Sequence, residues 1–366
     1  MNFESKVYKV IGRGIVETFS TVISKNLMEV LEMNTKKFSI VFLVLCVMLT
    51  FVACSEGTDS TGAAKGTFPE KDIKLIIQSS PGGGSDLFAR TFCNAVSANK
   101  LLPSVISPEN MPGGSGAVAY AYVADKVGDP YYLLNASGTF ITTPILGQGT
   151  NAEKVNYKEF TPIAALALDE LVIAVASDSE FKTLDDVIQA AINKPDEVIA
   201  GGTEMGSPDS ICYYMLEKES GANFNYIVFD GGDEVNAALL GKNIHVAIGN
   251  PGDFMGLYKG GKVRILGSFS EERLAQFPDV PTATEQGLNV VYQLTRGFAA
   301  PKEIPEDAVK VLENTIAEYM KTNEWKSYVE SNCLTEKYMN SEEFTSFLEK
   351  STTEHTELLK EMGIIN

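Results

Sequence analysis

Histidine is nearly missing from this chain: 366 residues contain only His245 and His355. General acid–base and nucleophilic catalysis thereby lose their commonest participant, and a transition-metal site loses its commonest ligand. Cysteine is sparse as well. Of the five, Cys46 and Cys54 lie in an apolar N-terminal stretch, while Cys93, Cys212 and Cys333 are far apart and odd in number. That spacing supports neither a disulfide framework nor a zinc cluster, and the three read as small core residues. Positive charge is in deficit, with 30 Lys and Arg against 48 Asp and Glu for a net charge of −18. So acidic a chain lacks the basic stripe that a nucleic-acid partner requires. It also cannot steer anions from a distance, so any anionic ligand must be held by local donors and dipoles. No serine sits in a Gly-x-Ser-x-Gly elbow. No catalytic group, metal or cofactor is expected.

What is present begins with an export signal. Met33-Asn34-Thr35-Lys36-Lys37 precedes the apolar run Phe38–Val52, which ends in Ala53-Cys54-Ser55. A basic start, a short apolar core and a small residue before the cleavage point make a signal peptide. A cysteine directly after that point resembles a bacterial lipoprotein signal, in which the thiol of Cys54 takes up a diacylglycerol. The run has fifteen residues, short of the roughly twenty that span a bilayer. Met33 followed by two lysines is a natural start, so residues 1–32 are expected to be a gene-model extension and 33–53 the signal. Residues 54–67 are small and polar, a flexible tether.

From Phe68 onward, strand, turn and helix alternate, the pattern of α/β lobes with mainly parallel sheets. Strands are expected at 73–78, 131–135, 171–176, 197–200, 225–229, 244–248, 263–267 and 290–293. Thr183 with Asp186 caps one helix. Ser207-Pro208 opens another, which Gly221 closes, and Gly232 or Asp233 begins a third. The tail from Pro305 is helical, with Val309, Leu312, Ile316 and Met320 in register and Phe344, Phe347 and Leu348 in a later helix.

Four polar, glycine-bearing turns follow strands. Lys74–Ser80 runs into Pro81-Gly82-Gly83-Gly84-Ser85-Asp86, which opens a helix with Ser85 as its cap and Asp86 in its first turn. Free amides and the positive end of the helix dipole there suit a carboxylate or phosphate. Asn135-Ala136-Ser137-Gly138-Thr139, Gly201–Pro208 and Asp230-Gly231-Gly232-Asp233 repeat the arrangement. Loops at the carboxyl ends of strands line the ligand crevice of α/β sheets, so the four turns suit one shared cleft. Hydroxyls of Ser85, Ser137, Thr203 and Ser207 add donors without charge.

Other motifs carry no chemistry. Gly256–Lys262 imitates a phosphate loop but ends on Val263 and leads into a strand. Gly114-Ser-Gly116 resembles a dinucleotide fingerprint with no strand expected before it. His245 lies in an apolar alternating strand and is expected in the core or beside a hinge. His355 is on a polar helix face and is expected to be solvated.

The order of motifs resembles the solute-binding proteins of tripartite tricarboxylate transporters, also called the Bug family. Pro81–Asp86 looks like the family's first loop and Asn110-Met-Pro-Gly-Gly-Ser-Gly116 like its Asn-x-Pro-Gly segment. Asp129-Pro-Tyr-Tyr-Leu-Leu134 resembles its Asp-Gly-Tyr-x-Leu strand and Phe160-Thr-Pro-Ile163 the step before its second lobe. Leu239-Leu-Gly241, Gly261–Leu266, Phe277–Thr282 and Gly297–Pro301 are similar too. The likeness runs from about Phe68 to the C-terminus.

This resemblance implies a two-lobed, hinged, periplasmic-binding-protein-like (type II) α/β fold with an interlobe cleft. One lobe would comprise 68–168 plus 294–366 and the other 169–293. It implies a small carboxylate ligand, such as a di- or tricarboxylate, an amino acid or an aromatic acid. Gly83, Gly84, Ser85, Asp86, Ser137 and Thr139 would form one wall. Thr203, Gly206, Ser207 and Asp209 would form the other, with Gly232 at the neighbouring turn. Arg296 would meet a second ligand carboxylate or make an inter-lobe salt bridge. Glu204, Met205, Asp233 and Gly249-Asn250 depart from the family pattern. The chain is then expected to be a monomeric, lipid-anchored extracytoplasmic protein serving membrane permease subunits. A sensor for a membrane kinase and an extracellular hydrolase or isomerase are the alternatives.

Overall fold

The computed structural model describes residues 68–147 and 155–366. The export signal, Cys54 and the tether lie outside the described residues. In chain order the strands are β1 (Ile73–Ile77), β2 (Ile106–Asn110), β3 (Tyr132–Ala136) and β4 (Phe160–Glu170). Then come β5 (Val172–Ala176), β6 (Ile199–Gly202), β7 (Asn225–Val228), β8 (Val246–Gly249) and β9 (Val263–Ser268), and finally β10 (Gln293–Pro301) and β11 (Thr335–Met339). They form two sheets, ordered β11-β4-β10-β3-β1-β2 and β7-β6-β8-β5-β9. The fold is thus two-lobed α/β, with the chain entering the second sheet at Leu171 and returning to the first at Gln293.

Both sheets are mixed. In the first, β1 pairs in parallel with β2 and β3, whereas β10 runs antiparallel to β3 and β4. In the second, β6 is parallel to β7 and β8, and β5 is antiparallel to β8 and β9. These directions position the site. β4 runs with β1 and β3, so its end at Asp169-Glu170 lies on the same edge as the loops after β1 and β3. β5 starts there and runs against β8, with Val172 opposite Gly249. The carboxyl-end loops of the two sheets therefore flank one short crossover.

The sequence explains the elements that hold this edge. Four of the five residues of β1 are buried, as a strand covered on both faces requires. Helix α1 (Gly84–Ala98) buries Phe88 and Phe92 against Phe298 of β10, at ring separations of 5.0 and 4.5 Å. Helices α2 (Ala117–Ala124) and α3 (Thr139–Leu146) follow β2 and β3. In the second lobe α4 (Leu184–Asn193) starts at a capping box of Thr183 and Asp186. Helix α5 (Pro208–Ser220) has Ser207 as N-cap, Pro208 in its first turn and Gly221 in the left-handed region at its end. Helices α6 (Gly232–Leu240) and α7 (Pro251–Lys259) complete this lobe. The tail adds α8 (Glu306–Tyr319), α9 (Asn323–Ser331) and α10 (Ser341–Glu361).

Several expectations need correction. Ser85 is not the cap of α1: Gly83 is, and no side chain caps that end. A strand, β2, does precede Gly114–Gly116, and the glycines form a single 3-10 turn leading into α2. Phe160–Ile163 begins β4, a strand not among those expected, which stays in the first sheet until Glu170. The histidines exchange roles. His245 is exposed, its Nδ1 accepting from the Ile199 amide at 2.8 Å. His355 is buried and meets the Tyr292 hydroxyl at 2.9 Å.

Candidate functional site

The loop after β1 is built around a buried carboxylate. Asp86 is 3 % exposed. It accepts from the Gly82 amide (2.9 Å), from Arg90 Nε (2.8 Å) and from Asn110 Nδ2 (2.8 Å). Burial pushes its pKa up, but the bonds from Arg90, Gly82 and Asn110 outweigh that and hold it below the ordinary carboxylate value. Gly82 adopts φ +87°, which a side chain would strain. With Asp86 turned back into its own loop, the first-turn amides of α1 at Gly84, Ser85 and Asp86 are left without an intrahelical acceptor.

Ser85 and Ser137 come together. Gln78, at the end of β1, donates through Nε2 to Ser85 Oγ (3.0 Å) and Ser137 Oγ (2.5 Å). Asn135 Nδ2 donates to the Ser85 carbonyl at 2.9 Å. Thr139 turns the other way, 2.6 Å from the Tyr120 hydroxyl. Gly84 lies beside Arg296, since a Cβ placed there would stand 3.7 Å from Nη1.

The second lobe repeats the device. Asp209, in the first turn of α5, is 6 % exposed. It accepts from the Thr203 amide, Thr203 Oγ1 (2.9 Å) and the Ser207 hydroxyl, with the Tyr226 hydroxyl 3.2 Å away. Gly202 has to be glycine, because a Cβ would overlap Asp209 and Tyr226. Thr203, Asp209 and Gly232 line one cavity of about 170 Å³ with Leu171, Asn250 and Asp253. Around it converge the N-terminal ends of α5, α6 and α7. Gly206 stands apart: it is buried, with Leu146, Leu359 and Ile364 against it.

The two loop sets are joined through Asp169. Arg296 Nε and Nη2 donate to Asp169 Oδ2 at 2.9 and 2.6 Å, and Nη1 donates to the Tyr328 hydroxyl at 2.8 Å. Asn250 Nδ2 donates to Asp169 Oδ1 at 2.7 Å. Arg296 and Asp169 are both in the first sheet, so their ion pair lies within that lobe. Asn250 to Asp169 is the bond that crosses between lobes at this edge, and on the far side of α5 Lys218 Nζ meets Glu361 of α10 at 2.6 Å.

Gln78, Asn110, Asp169, Tyr328, Asn250 and Asp253 escaped the reading of the sequence as site residues. Gln78 and Asp169 end strands just ahead of the turns, a position that could have flagged them. Tyr328 comes from a distant helix and had no signal. A larger cavity, about 540 Å³, opens beside α10 around Tyr292 and His355, away from these loops. Among the described residues, no group of three or more His, Cys, Asp or Glu side chains could hold a metal ion. No helix among them is long and apolar enough to cross a membrane.

Comparison with known proteins converges on one family. Residues 89–364 match the model described as tripartite tricarboxylate transporter family receptor, TctC. The UPF0065 protein in the gbd 5′ region of Cupriavidus necator is 26 % identical over 305 residues, covering 81 % of this chain and 89 % of that protein. Protein BugT of Bordetella pertussis is 25 % identical over 224 residues, covering 60 % of this chain and 67 % of its own. Among solved structures, a TctC solute-binding protein from Polaromonas superposes with a TM-score of 0.73 at 26 % identity, covering 81 % of this chain and all of the other (100 %). MatC of Rhodopseudomonas palustris, solved with bound malate, shares the fold at a TM-score of 0.63 and 20 % identity, with 80 % and 100 % covered. The Polaromonas protein is a solute-binding protein, and the matching family is one of transporter receptors. The chain belongs to the tripartite tricarboxylate transporter receptor (TctC/Bug) family of periplasmic solute-binding proteins.

Proposed function

We propose that this protein captures a small organic carboxylate between its two lobes and delivers it to the membrane permease subunits of a tripartite tricarboxylate-type transporter. One observation carries the reading. Asp86 and Asp209 are each satisfied by donors of their own loops and of neighbouring strands, which removes two negative charges from the path of an anion. It leaves helix N-terminal amides and serine hydroxyls as the groups on offer. Such uncharged donors solvate a carboxylate in a site that an acidic body could not otherwise make attractive. Malate is bound in MatC, and a second R. palustris neighbour of the same fold was solved with adipate. Both ligands are small carboxylates, in line with this reading.

Ligand-binding residues on this reading are Gly83, Gly84, Ser85 and Ser137 on one side and Thr203 and Gly232 on the other. Asp86, Ser207 and Asp209 shape the loops, and Arg296, paired with Asp169 and Tyr328, braces the wall beside Gly84. Thr139 and Gly206 act from behind, through packing. Closure about the crossovers at Leu171 and before Gln293 sequesters the ligand. Cys54 carries the lipid that tethers the monomer at the membrane, so the protein works where its permease is. Native mass spectrometry of gently purified protein tests the reading through the acid that co-purifies. Calorimetry then gives the affinity, and Ser85→Ala weakens it about tenfold, the loss of one hydrogen bond to a charged group. Unchanged affinity removes Ser85 from the site, and a co-purified ligand without an acid group removes the proposal.

A further inference from the structure

Gln78, the residue after β1, is 6 % exposed, and its amide reaches two of the proposed donors at once. The nitrogen of a glutamine amide carries two hydrogens and has no lone pair to offer. Nε2 of Gln78 donates to Ser85 Oγ at 3.0 Å and to Ser137 Oγ at 2.5 Å. The two serines belong to different turns, one after β1 and one after β3. Neither hydroxyl can donate back to that nitrogen, and among the described residues neither makes another hydrogen bond. Both serines are half-buried, so their protons are left for a group that arrives from solvent.

The same amide does little for the fold. Gln78 Oε1 is buried with no hydrogen-bond partner. An unpaired buried acceptor destabilises the folded state. Ile76 and Ile77, just before it, are fully buried, and an apolar side chain at position 78 would continue that core without the penalty. The serine hydroxyls do not need the amide either, since solvent can reach both. A buried glutamine that costs stability while it directs two hydroxyls breaks a local rule of packing, and such breaks concentrate where a protein binds or reacts.

We infer that Gln78 is a positioning residue of the first wall: by occupying a lone pair on Ser85 Oγ and on Ser137 Oγ, it turns both hydroxyl protons toward the ligand and sets the pair as donors to a carboxylate. The inference rests on the carboxylate-binding reading above and adds the residue that gives this wall its sign. A serine hydroxyl is ambivalent, able to donate or to accept. Held by the Gln78 nitrogen, each hydroxyl has its proton free, as an anion requires. An acceptor in place of that nitrogen would take both protons and turn lone pairs toward the ligand's oxygens.

Gln78→Met, close in size and without the amide, tests this by calorimetry with succinate and malate on protein freed of co-purified ligand. For whichever acid binds the natural chain tighter, affinity falls about tenfold, the equivalent of one hydrogen bond to a charged group. In a chain already carrying Ser85→Ala and Ser137→Ala, the same substitution changes affinity by less than about twofold, because its effect passes through the hydroxyls. Equal losses in the two backgrounds, or an unchanged affinity in the natural one, overturn the inference and leave the carboxylate reading standing. Should Gln78→Met fail to fold, or neither acid bind, neutron diffraction from the unaltered, deuterium-exchanged protein decides the question. Amide deuterons on both serine oxygens, with the hydroxyl deuterons turned away from Gln78, support the inference; a hydroxyl deuteron on the Gln78 carbonyl overturns it. Binding of neither acid, with a co-purified ligand that is no acid, overturns both readings.

Discussion

At the residue scale, what makes this site is the way two acids are used up. Asp209 takes the Thr203 amide, two hydroxyls and the approach of Tyr226. Asp209→Asn reverses one of those bonds and leaves buried donors unmatched. It should lower unfolding free energy by roughly 2–4 kcal/mol, read as a shifted urea midpoint at constant slope. An unshifted midpoint would show that the loop does not depend on the charge. Spacing placed Asp86 and Asp209 in the right turns but not their direction, because a first-turn acid can face a ligand or fold back on its loop with the same sequence. Only the partners decide, and Asn110 and Tyr226 are contributed by other strands.

The second histidine offers a test by pH. His355 Nδ1 meets the Ser351 carbonyl at 2.7 Å, so that nitrogen carries the proton, and Nε2 accepts from the Tyr292 hydroxyl. Burial pushes its pKa below the ordinary imidazole value, against the opposing effects of the Ser351 carbonyl and Glu354. The folded state thus keeps His355 neutral while the unfolded chain takes up a proton near pH 6.5. Its contribution to stability is present above about pH 6.5 and is lost as the pH falls through the depressed folded value. Urea midpoints followed from pH 7.5 to 5 should fall less steeply for His355→Phe than for the natural chain, and parallel slopes would contradict this.

At the scale of elements, the capped helices were plain in the sequence, and the strands that form the crossover were not. Thr183/Asp186 and Ser207-Pro208 begin helices where local chemistry says they should. The longest strand, β4, was missed. Its Ala-Ala-Leu-Ala-Leu run has no alternation because both faces are buried, and alanine weakens the strand signal. β11 was missed because its middle residues are exposed and charged. The residue that matters at the crossover was therefore passed over. Asp169 joins Arg296 of its own lobe to Asn250 of the other. Asn250→Ala removes the bond between lobes at the crossover without touching the ion pair. Small-angle scattering should report a larger radius of gyration for the unliganded variant and the same value as the natural protein once ligand is bound. Identical unliganded curves would mean that this bond does not set the lobe angle.

For the whole molecule, the strand directions leave little freedom. Each sheet's carboxyl-end loops flank the passage at Leu171, so a solute held by one set lies next to the other. The order of motifs made this architecture legible, since each glycine turn marks a strand end. What was not legible is the chemistry of the second wall, since Asp209 and Asn250 gain meaning only through their bonds to Tyr226 and Asp169, which come from elsewhere in the chain. The central claim is that main-chain amides and hydroxyls, and not cations, hold the ligand's carboxylate. A crystal structure with the co-purified ligand tests it most directly. The account predicts carboxylate oxygens within hydrogen-bonding distance of the Gly84 or Ser85 amide and the Ser85 or Ser137 hydroxyl. A carboxylate seated instead in the cavity beside His355, or held by lysines alone, would contradict it.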